Sequence, residues 1–458
     1  MNIIILGAGQ VGSTLAENLA REENDITVVD THPERLRELQ NRIDIGTVLG
    51  SASYPDILAQ AGAENADMLI AVTNSDEVNL IACQIAYQLF HTPTKIARIR
   101  AQNYLDKKNN LFRKDCLNVD VLISPERLVT DYMRHLIEYP GTLQVLDFAE
   151  GSVQLVATRT YFGGTLIGKN FPVLKQYLIQ YSAVIVAIYR GNRAIVLNDN
   201  TVVEIGDEVF FLAPPIHTMA VMATLRPYES AYKRIMVAGG GNIGFRLAQC
   251  LENDYQVKLL ERGVERARYI SQELHRAVVL LGDASDRELL ANENIEFTDV
   301  FFAVTNDDEV NIMSCMQAKR LGAKHVMALI TRTAYVDLIE GGDIDIAISP
   351  QHATIGSILT HIRQSDIVNV HSLRRGAAEA IEVIAHGDKA TSKVVGRTLA
   401  QIKLPKETQI GAIVRNKKMI LPNEQLTIES DDHIILFLTD KRHLEAVERL
   451  FQVNVNFL

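Results

Sequence analysis

Gly7, Gly9 and Gly12 occupy the first, third and sixth places of GAGQVG, directly after the apolar run NIIIL. Glycines at that spacing, between a strand and a helix, serve to hold phosphate. The first allows a sharp turn, the second lets backbone approach a pyrophosphate without a Cβ in the way, and the third lets helix pack close on strand. The free amides of the helix's first turn, around Ala8, Gln10 and Val11, then face anionic oxygens. One such contact contributes about 0.3–1 kcal/mol at an exposed site. Asp30 ends DITVVD, 23 residues past Gly7, where a carboxylate accepts hydrogen bonds from ribose hydroxyls. Two negative charges about 4 Å apart at an effective dielectric near 20 cost roughly 4 kcal/mol. A 2′-phosphate, and so NADP, is disfavoured at this site.

The constellation occurs twice. RIMVAGGGNIG at 234–244 places Gly239, Gly241 and Gly244 each 232 positions after Gly7, Gly9 and Gly12, with Asn242 and Ile243 opening the second helix. Val11, Leu15 and Leu19 map in the same register onto Ile243, Leu247 and Leu251, an i, i+4 stripe that turns one helix face inward. Gly50 maps to Gly282, AVTNSDEVN at 71–79 to AVTNDDEVN at 303–311, and Cys83 to Cys315, both read as small buried thiols. Glu261 answers Asp30 at an offset of 231, and its neighbour Arg262 weakens the case against NADP there. A register held over this many positions is an internal duplication.

The elements around these residues follow from pattern. The strand MLIAV leads into Thr73 and Asn74, with Thr305 and Asn306 as counterparts, at the carboxyl end of a strand where doubly wound sheets hold ligands. Asn74 with Glu77, and Asn306 with Glu309, fit a capping box. Asp76, Asp307 and Asp308 are either part of that capping or cation ligands without a fixed geometry. KIARIR puts Arg98 and Arg100 at the end of the next strand, as phosphate ligands or solvated cations. Leu329 stands opposite Arg98 in the second copy.

After YPGT at 139–142 the texture changes to short β-branched runs separated by Gly, Asn and Asp. It returns after a loop at 362–369, with Gly168 and Gly396 228 apart and Asp207 and Asp432 225 apart. Four modules are expected: Rossmann-like α/β domains with doubly wound parallel sheets at 1–138 and 232–362, and small β-rich domains at 139–227 and 368–458. Pro227 and Glu229 mark the junction of the halves.

Composition limits the function. The chain of 458 residues has 47% hydrophobic and 22% charged residues and a formal net charge of −10. That balance argues against nucleic acid as a partner. No apolar run approaches the roughly 18 residues of a membrane span. Strand residues start at Asn2, which leaves no room for a signal peptide. The four cysteines form no CxxC, as in a reducing cytosol. No two histidines are spaced as helical metal ligands, and Walker A, G-x-S-x-G and Cys–His nucleophile patterns are absent. The small modules, near 85 residues, are short for a catalytic domain and are duplicated with their partners. A sensor rather than an enzyme is expected. An oxidoreductase of unusual two-site type and an assembly protein for another membrane partner are the competing readings.

The glycine motif, terminal acid, Gly after the third strand, AVTNxDEVN, Ser124-Pro125 and Ser349-Pro350 opening helices, and a small β-rich module together resemble the regulator-of-potassium-conductance (RCK) fold. Two such units in one chain are similar to the nucleotide-binding subunit of bacterial Trk potassium-uptake systems. The resemblance covers essentially the whole chain. It implies a cytoplasmic subunit at the inner face of the membrane, forming a homotetrameric ring under an integral membrane potassium-transport subunit. It further implies that NAD⁺, NADH, ATP or ADP changes ring shape and so gates transport. Carried over, Gly7, Gly9, Gly12, Gly239, Gly241 and Gly244 would hold phosphates and Asp30 and Glu261 a ribose. Ser51 departs from the family's usual Asp after Gly50, which Asp283 keeps, so the two sites differ.

Overall fold

In a computed structural model the described residues are 1–20, 24–105, 110–112, 116–191, 193–227, 229–339, 342–362, 367–373, 378–439 and 443–452. Within the expected loop at 362–369, residues 363–366 lie outside them, as do residues 453–458 of the fourth module.

The first sheet is parallel. Its strands are β1 (Asn2–Leu6), β2 (Asp25–Asp30), β3 (Gly46–Leu49), β4 (Met68–Ala71), β5 (Thr94–Arg98) and β6 (Val121–Ile123), in the order β3-β2-β1-β4-β5-β6. Covered on both faces, its central strands read as unbroken apolar runs. Ile3, Ile5, Met68 and Ile70 enter one core, and Ile4, Leu6, Leu69 and Ala71 enter the opposite one. The strand order reverses between β1 and β4, and the crevice of a doubly wound sheet opens there.

The five strands β7 (Thr142–Phe148), β8 (Val153–Arg159), β9 (Val184–Arg190), β10 (Arg193–Ile195) and β11 (Glu208–Ala213) form an antiparallel sheet in the order β10-β9-β11-β8-β7. The second half repeats both sheets. Strands β12 (Arg234–Ala238), β13 (Gln256–Glu261), β14 (Val278–Leu281), β15 (Val300–Ala303), β16 (His325–Leu329) and β17 (Ile346–Ile348) take the first order again. Strands β18 (Ile367–Leu373), β19 (Ala378–Ile384), β20 (Thr408–Arg415), β21 (Lys418–Ile420) and β22 (His433–Leu438) form the last antiparallel sheet. The α/β-plus-small-β architecture read from the sequence is thus observed twice.

The chain divides into two compact units, residues 1–129 with 349–362 and residues 130–348 with 363–458. Within the first unit, the helix Pro350–Ile362 sends Ile355, Ile358 and Leu359 into the core formed by Ile3, Ile5, Val11 and Leu15. A helix encoded after the second α/β sheet therefore packs on the first.

Within the second unit the two small modules share one core. Phe148, Leu155, Phe210 and Leu212 from one sheet meet Ala380, Ala412, Ile435 and Phe437 from the other. Gly411 permits the close approach, because a Cβ there would stand 2.5 Å from Leu212 Cδ1 and 2.8 Å from Val186 Cγ1. Each module carries the same internal lock. Arg190 Nε and Nη2 donate to the two oxygens of buried Asp207 at 2.8 and 2.9 Å, and Arg415 does the same to Asp432 at 2.7 and 2.7 Å. This explains the paired aspartates at an offset of 225.

The junction is built on Glu229. Its Oε2 accepts from Arg226 Nε at 2.6 Å, and its Oε1 lies 2.9 Å from His325 Nε2. Burial raises the carboxyl, but the His325 bond and the Arg226 charge outweigh it and hold the group at about 2. A carboxyl depressed in the folded state stabilises fully above its ordinary 4.5 and loses that contribution as pH falls toward 2. Glu229→Gln is expected to cost up to about 3 kcal/mol at neutral pH. It should also flatten the fall of the urea midpoint between pH 4.5 and 2. A variant with the wild-type pH slope would show that the junction is not held by this charge.

Candidate nucleotide-binding site

The glycine turn is formed by contacts from three segments. Gly7 lies at φ +105° and donates its N–H to Val29 O at 2.7 Å. Its Cα faces Thr73, since a Cβ would be 3.1 Å from Thr73 Cα. A Cβ on Gly12 would lie 1.8 Å from Gly7 O, so the helix Gln10–Ala20 can start this close to β1 only with glycine there. Gly239 and Gly244 repeat both features, at φ +109° and 1.8 Å. Gly9 and Gly241 differ from these. A Cβ on either meets nothing within 4 Å, and neither has positive φ. Nothing within the fold requires glycine at these two places, which lie at the mouth of the helix where the amide groups of Gln10 and Val11, or Asn242 and Ile243, begin the turn.

Asp30 is buried and binds the glycine loop. Its Oδ2 accepts from Ala8 N at 2.7 Å, and its Oδ1 from His32 N at 2.8 Å. Burial pushes its pKa up, but these two backbone bonds, the His32 ring and Arg35 bring it below the usual aspartate value. The carboxylate retains lone pairs for further donors. Arg35 Nη1 lies 4.0 Å away, so the first acid also has a cation near it. Glu261 does the same work with one more methylene, accepting from Gly240 N at 2.8 Å and Gly263 N at 2.7 Å.

That extra methylene has a partner. A Cβ on Gly240 would lie 2.8 Å from Glu261 Oε2 and 2.4 Å from Ile270 Cδ1, whereas its counterpart Ala8 coexists with the shorter Asp30. Gly240→Ala is expected to destabilise the second unit by about 1–3 kcal/mol. Adding Glu261→Asp should recover part of the loss, with a coupling of at least about 0.5 kcal/mol in a thermal-melt double-mutant cycle. Strict additivity would show that the two positions are not matched.

The loop after β4 is held by residues that spacing alone does not single out. Asn79 is fully buried. Its Oδ1 accepts from Thr73 N at 3.0 Å and Thr73 Oγ1 at 2.7 Å, while Nδ2 donates to Arg98 O at 2.9 Å. Asn311 makes the same set with Thr305 and Leu329 O. Asp76 accepts from the backbone of Arg100 and Ala101, and Asp308 from Thr331 and Arg332. These acids tie one strand end to the next. Among the described residues no group of three His, Cys, Asp or Glu could hold a metal ion.

Two expectations need correction. The helix caps are Ser75 and Asp307, which accept from Val78 N and Val310 N. Asn74, one residue earlier, is exposed and is not the cap. The side-chain oxygen that reaches the third helical amide belongs to the residue next to the helix, and the helix begins one residue later than expected. Of the two readings of Arg98, phosphate ligand or solvated cation, its burial removes the second. It is 8% exposed, with Nη2 donating to Thr73 O at 2.6 Å. Burial, with Arg100, lowers its pKa to about 10, opposed by Glu126 and Asp76, so it stays charged at neutral pH. Cys83 and Cys315 are buried, and burial pushes the Cys83 thiol up to about 12.

The register adds one residue to each crevice. Leu49 pairs with Asp30 and Leu281 with Glu261, and both leucines are 55% exposed. Each leucine places an exposed apolar side chain beside the acid at the end of the neighbouring strand. Thus Gly7, Ala8, Gly9, Gly12, Asp30, Thr73 and Arg98 gather at one crevice, while Gly239, Gly241, Gly244, Glu261 and Thr305 gather at the other. Gln10, Asn242 and Arg262 are exposed around them.

Comparison with known proteins shows the family. The family model for the TrkA-N domain matches residues 3–125 and 235–350, and that for the TrkA-C domain matches 388–452. The chain is 59% identical to the Trk system potassium uptake protein TrkA of Halomonas elongata and 55% identical to that of Vibrio alginolyticus, over 100% of each chain. The chain belongs to the TrkA family. Among solved structures, a GsuK channel bound to NAD superposes with a TM-score of 0.62 at 18% identity, over 98% of this chain and 78% of that one. The GsuK RCK domain gives 0.61 at 19%, over 98% and 94%. At these identities the likeness is one of fold, and it is the RCK fold expected of the TrkA family. No helix among the described residues is long and apolar enough to cross a membrane.

Proposed function

We propose that this chain is a nucleotide-sensing regulatory subunit of a Trk-type potassium transporter, not an enzyme. It would bind NAD⁺ or NADH and/or ATP or ADP in the crevices of its two α/β modules, at 1–138 and 232–362. The observation that carries the reading is the open space at Gly9 and Gly241. Glycine stands there with no internal neighbour to demand it, at a helix mouth and beside an acid that is buried in the first module and half-buried in the second. A pyrophosphate is the group that needs such space. Asp30 and Glu261 would take ribose hydroxyls, with NADP disfavoured. Arg98 against Leu329 gives the sites different preferences.

A sensor acts on a gate only by binding two conformations unequally. Taking a gate from 1:99 to 99:1 requires about 5.5 kcal/mol. In a homotetrameric ring at the inner face of the membrane, about eight sites would each need about 0.7 kcal/mol of preference. The small modules at 139–227 and 368–458 would carry the change between domains.

Calorimetric titration with NAD⁺, NADH, ATP and ADP tests the proposal. Binding should fall in stages through Asp30→Ala and Glu261→Ala, each abolishing one site. If none of the four binds at physiological concentration, the glycine loops are structural and the sensor model fails.

A further inference from the structure

The second small module carries a groove that plays no part in the crevices. It is an open depression of about 470 Å³, lined by the loop that carries Lys403 and Lys406, by Lys393, and by the helix Leu444–Phe451 with its cap His443. Among the described residues that line it, Lys393, Lys403, Lys406, His443 and Arg449 are cationic or imidazole groups and none is acidic. The chain as a whole has more acids than bases, 56 against 46.

The fold does not demand a cation at position 449. At the offset of 226 that carries buried Thr218, Val221 and Leu225 onto buried Leu444, Val447 and Phe451, His443 corresponds to His217 and exposed Arg449 to exposed Ala223. Lys393 Nζ donates to Arg449 O at 2.7 Å, which fixes one ammonium at the groove wall.

A multiply charged anion accepts charge-assisted hydrogen bonds from several cations gathered along one groove. The volume lies within the range of small-ligand sites, about 300–1,000 Å³. We propose that this groove binds a phosphate-bearing polyanion, either free in solution or as the headgroup of an anionic lipid. The site is separate from the glycine loops and does not depend on them.

The test uses the full chain and Lys403→Gln/Lys406→Gln, two exposed positions whose replacement should leave the thermal melt unchanged. Tripolyphosphate is titrated by calorimetry. In parallel, the chain is sedimented with phosphatidylcholine vesicles with and without phosphatidylglycerol. Tripolyphosphate binding about tenfold weaker in the variant supports the site with a soluble ligand. Sedimentation that needs phosphatidylglycerol and is lost in the variant supports it with a lipid headgroup. Binding at the glycine loops would survive these substitutions. Absence of both effects, or binding that the substitutions leave unchanged, overturns the proposal.

Discussion

Gly12→Ala is expected to unfold the first α/β module, while Gly9→Ala, three residues earlier, should leave it folded and impair only ligand binding. The added carbon at position 12 would lie 1.8 Å from Gly7 O and 3.0 Å from Gly7 C. Both are backbone atoms, so no rotamer change relieves the overlap, and helix and strand must separate. A loss above about 4 kcal/mol is expected, in the class of severe core disruption. Gly244→Ala should do the same in the second module, with 1.8 Å to Gly239 O. At position 9 the added carbon meets nothing within 4 Å, so stability should change by less than about 1 kcal/mol. Nucleotide affinity should nevertheless fall at least about tenfold, since the methyl group occupies the space a pyrophosphate needs. Thermal melts and calorimetry on the two variants separate these effects. Undiminished affinity in Gly9→Ala would remove the main support for the functional reading.

Asn79→Ala should be nearly as damaging. The side chain makes its bonds at zero exposure, to Thr73 N and Oγ1 and to Arg98 O. Truncation strands a buried donor and a buried carbonyl, each costing about 1–3 kcal/mol, and leaves a cavity. A total of about 3–5 kcal/mol is expected in the first unit, and the equivalent loss from Asn311→Ala in the second. Because Thr73 backs the Gly7 turn, nucleotide affinity should fall along with stability. Asn74→Ala, five residues away and exposed, should stay within about 0.5 kcal/mol of wild type. Equal effects at the two asparagines would show that the buried network does not hold the loop.

These predictions separate what a linear pattern conveys from what it does not. The glycine spacing, the acids at the ends of β2 and β13, and the duplication were legible because each is a local regularity. Period-two and i, i+4 burial, turn chemistry and a fixed offset require no knowledge of distant partners. In the TNSDEVN segment the pattern drew attention to the loop but placed the cap at Asn74 and passed over Asn79. The choice between Asn74 and Ser75 as cap depends on where the helix backbone starts. The role of Asn79 depends on β5 lying beside β4, a pairing between residues far apart in sequence.

Arg98 shows the same limit. As a residue type it reads equally as a phosphate ligand or a solvated cation, and only its place at the end of β5, with Nη2 donating to Thr73 O, makes it a buried one. Leu49 and Leu281 become crevice residues through the register of β2 with β3 and of β13 with β14. The packing of the helix Pro350–Ile362 on the first sheet, the core shared by the two small modules and the cationic groove are likewise properties of assembled segments. The repeated modules, the glycine turn and the acid beside it can be read from the chain alone, because short-range backbone geometry dictates them. Which polar groups are buried, which hydrophobic ones are left exposed beside the acids, and which helix covers which sheet emerge only in the assembled fold. Those outcomes depend on long-range burial and hydrogen-bond satisfaction, which the spacing of residues along the chain does not encode.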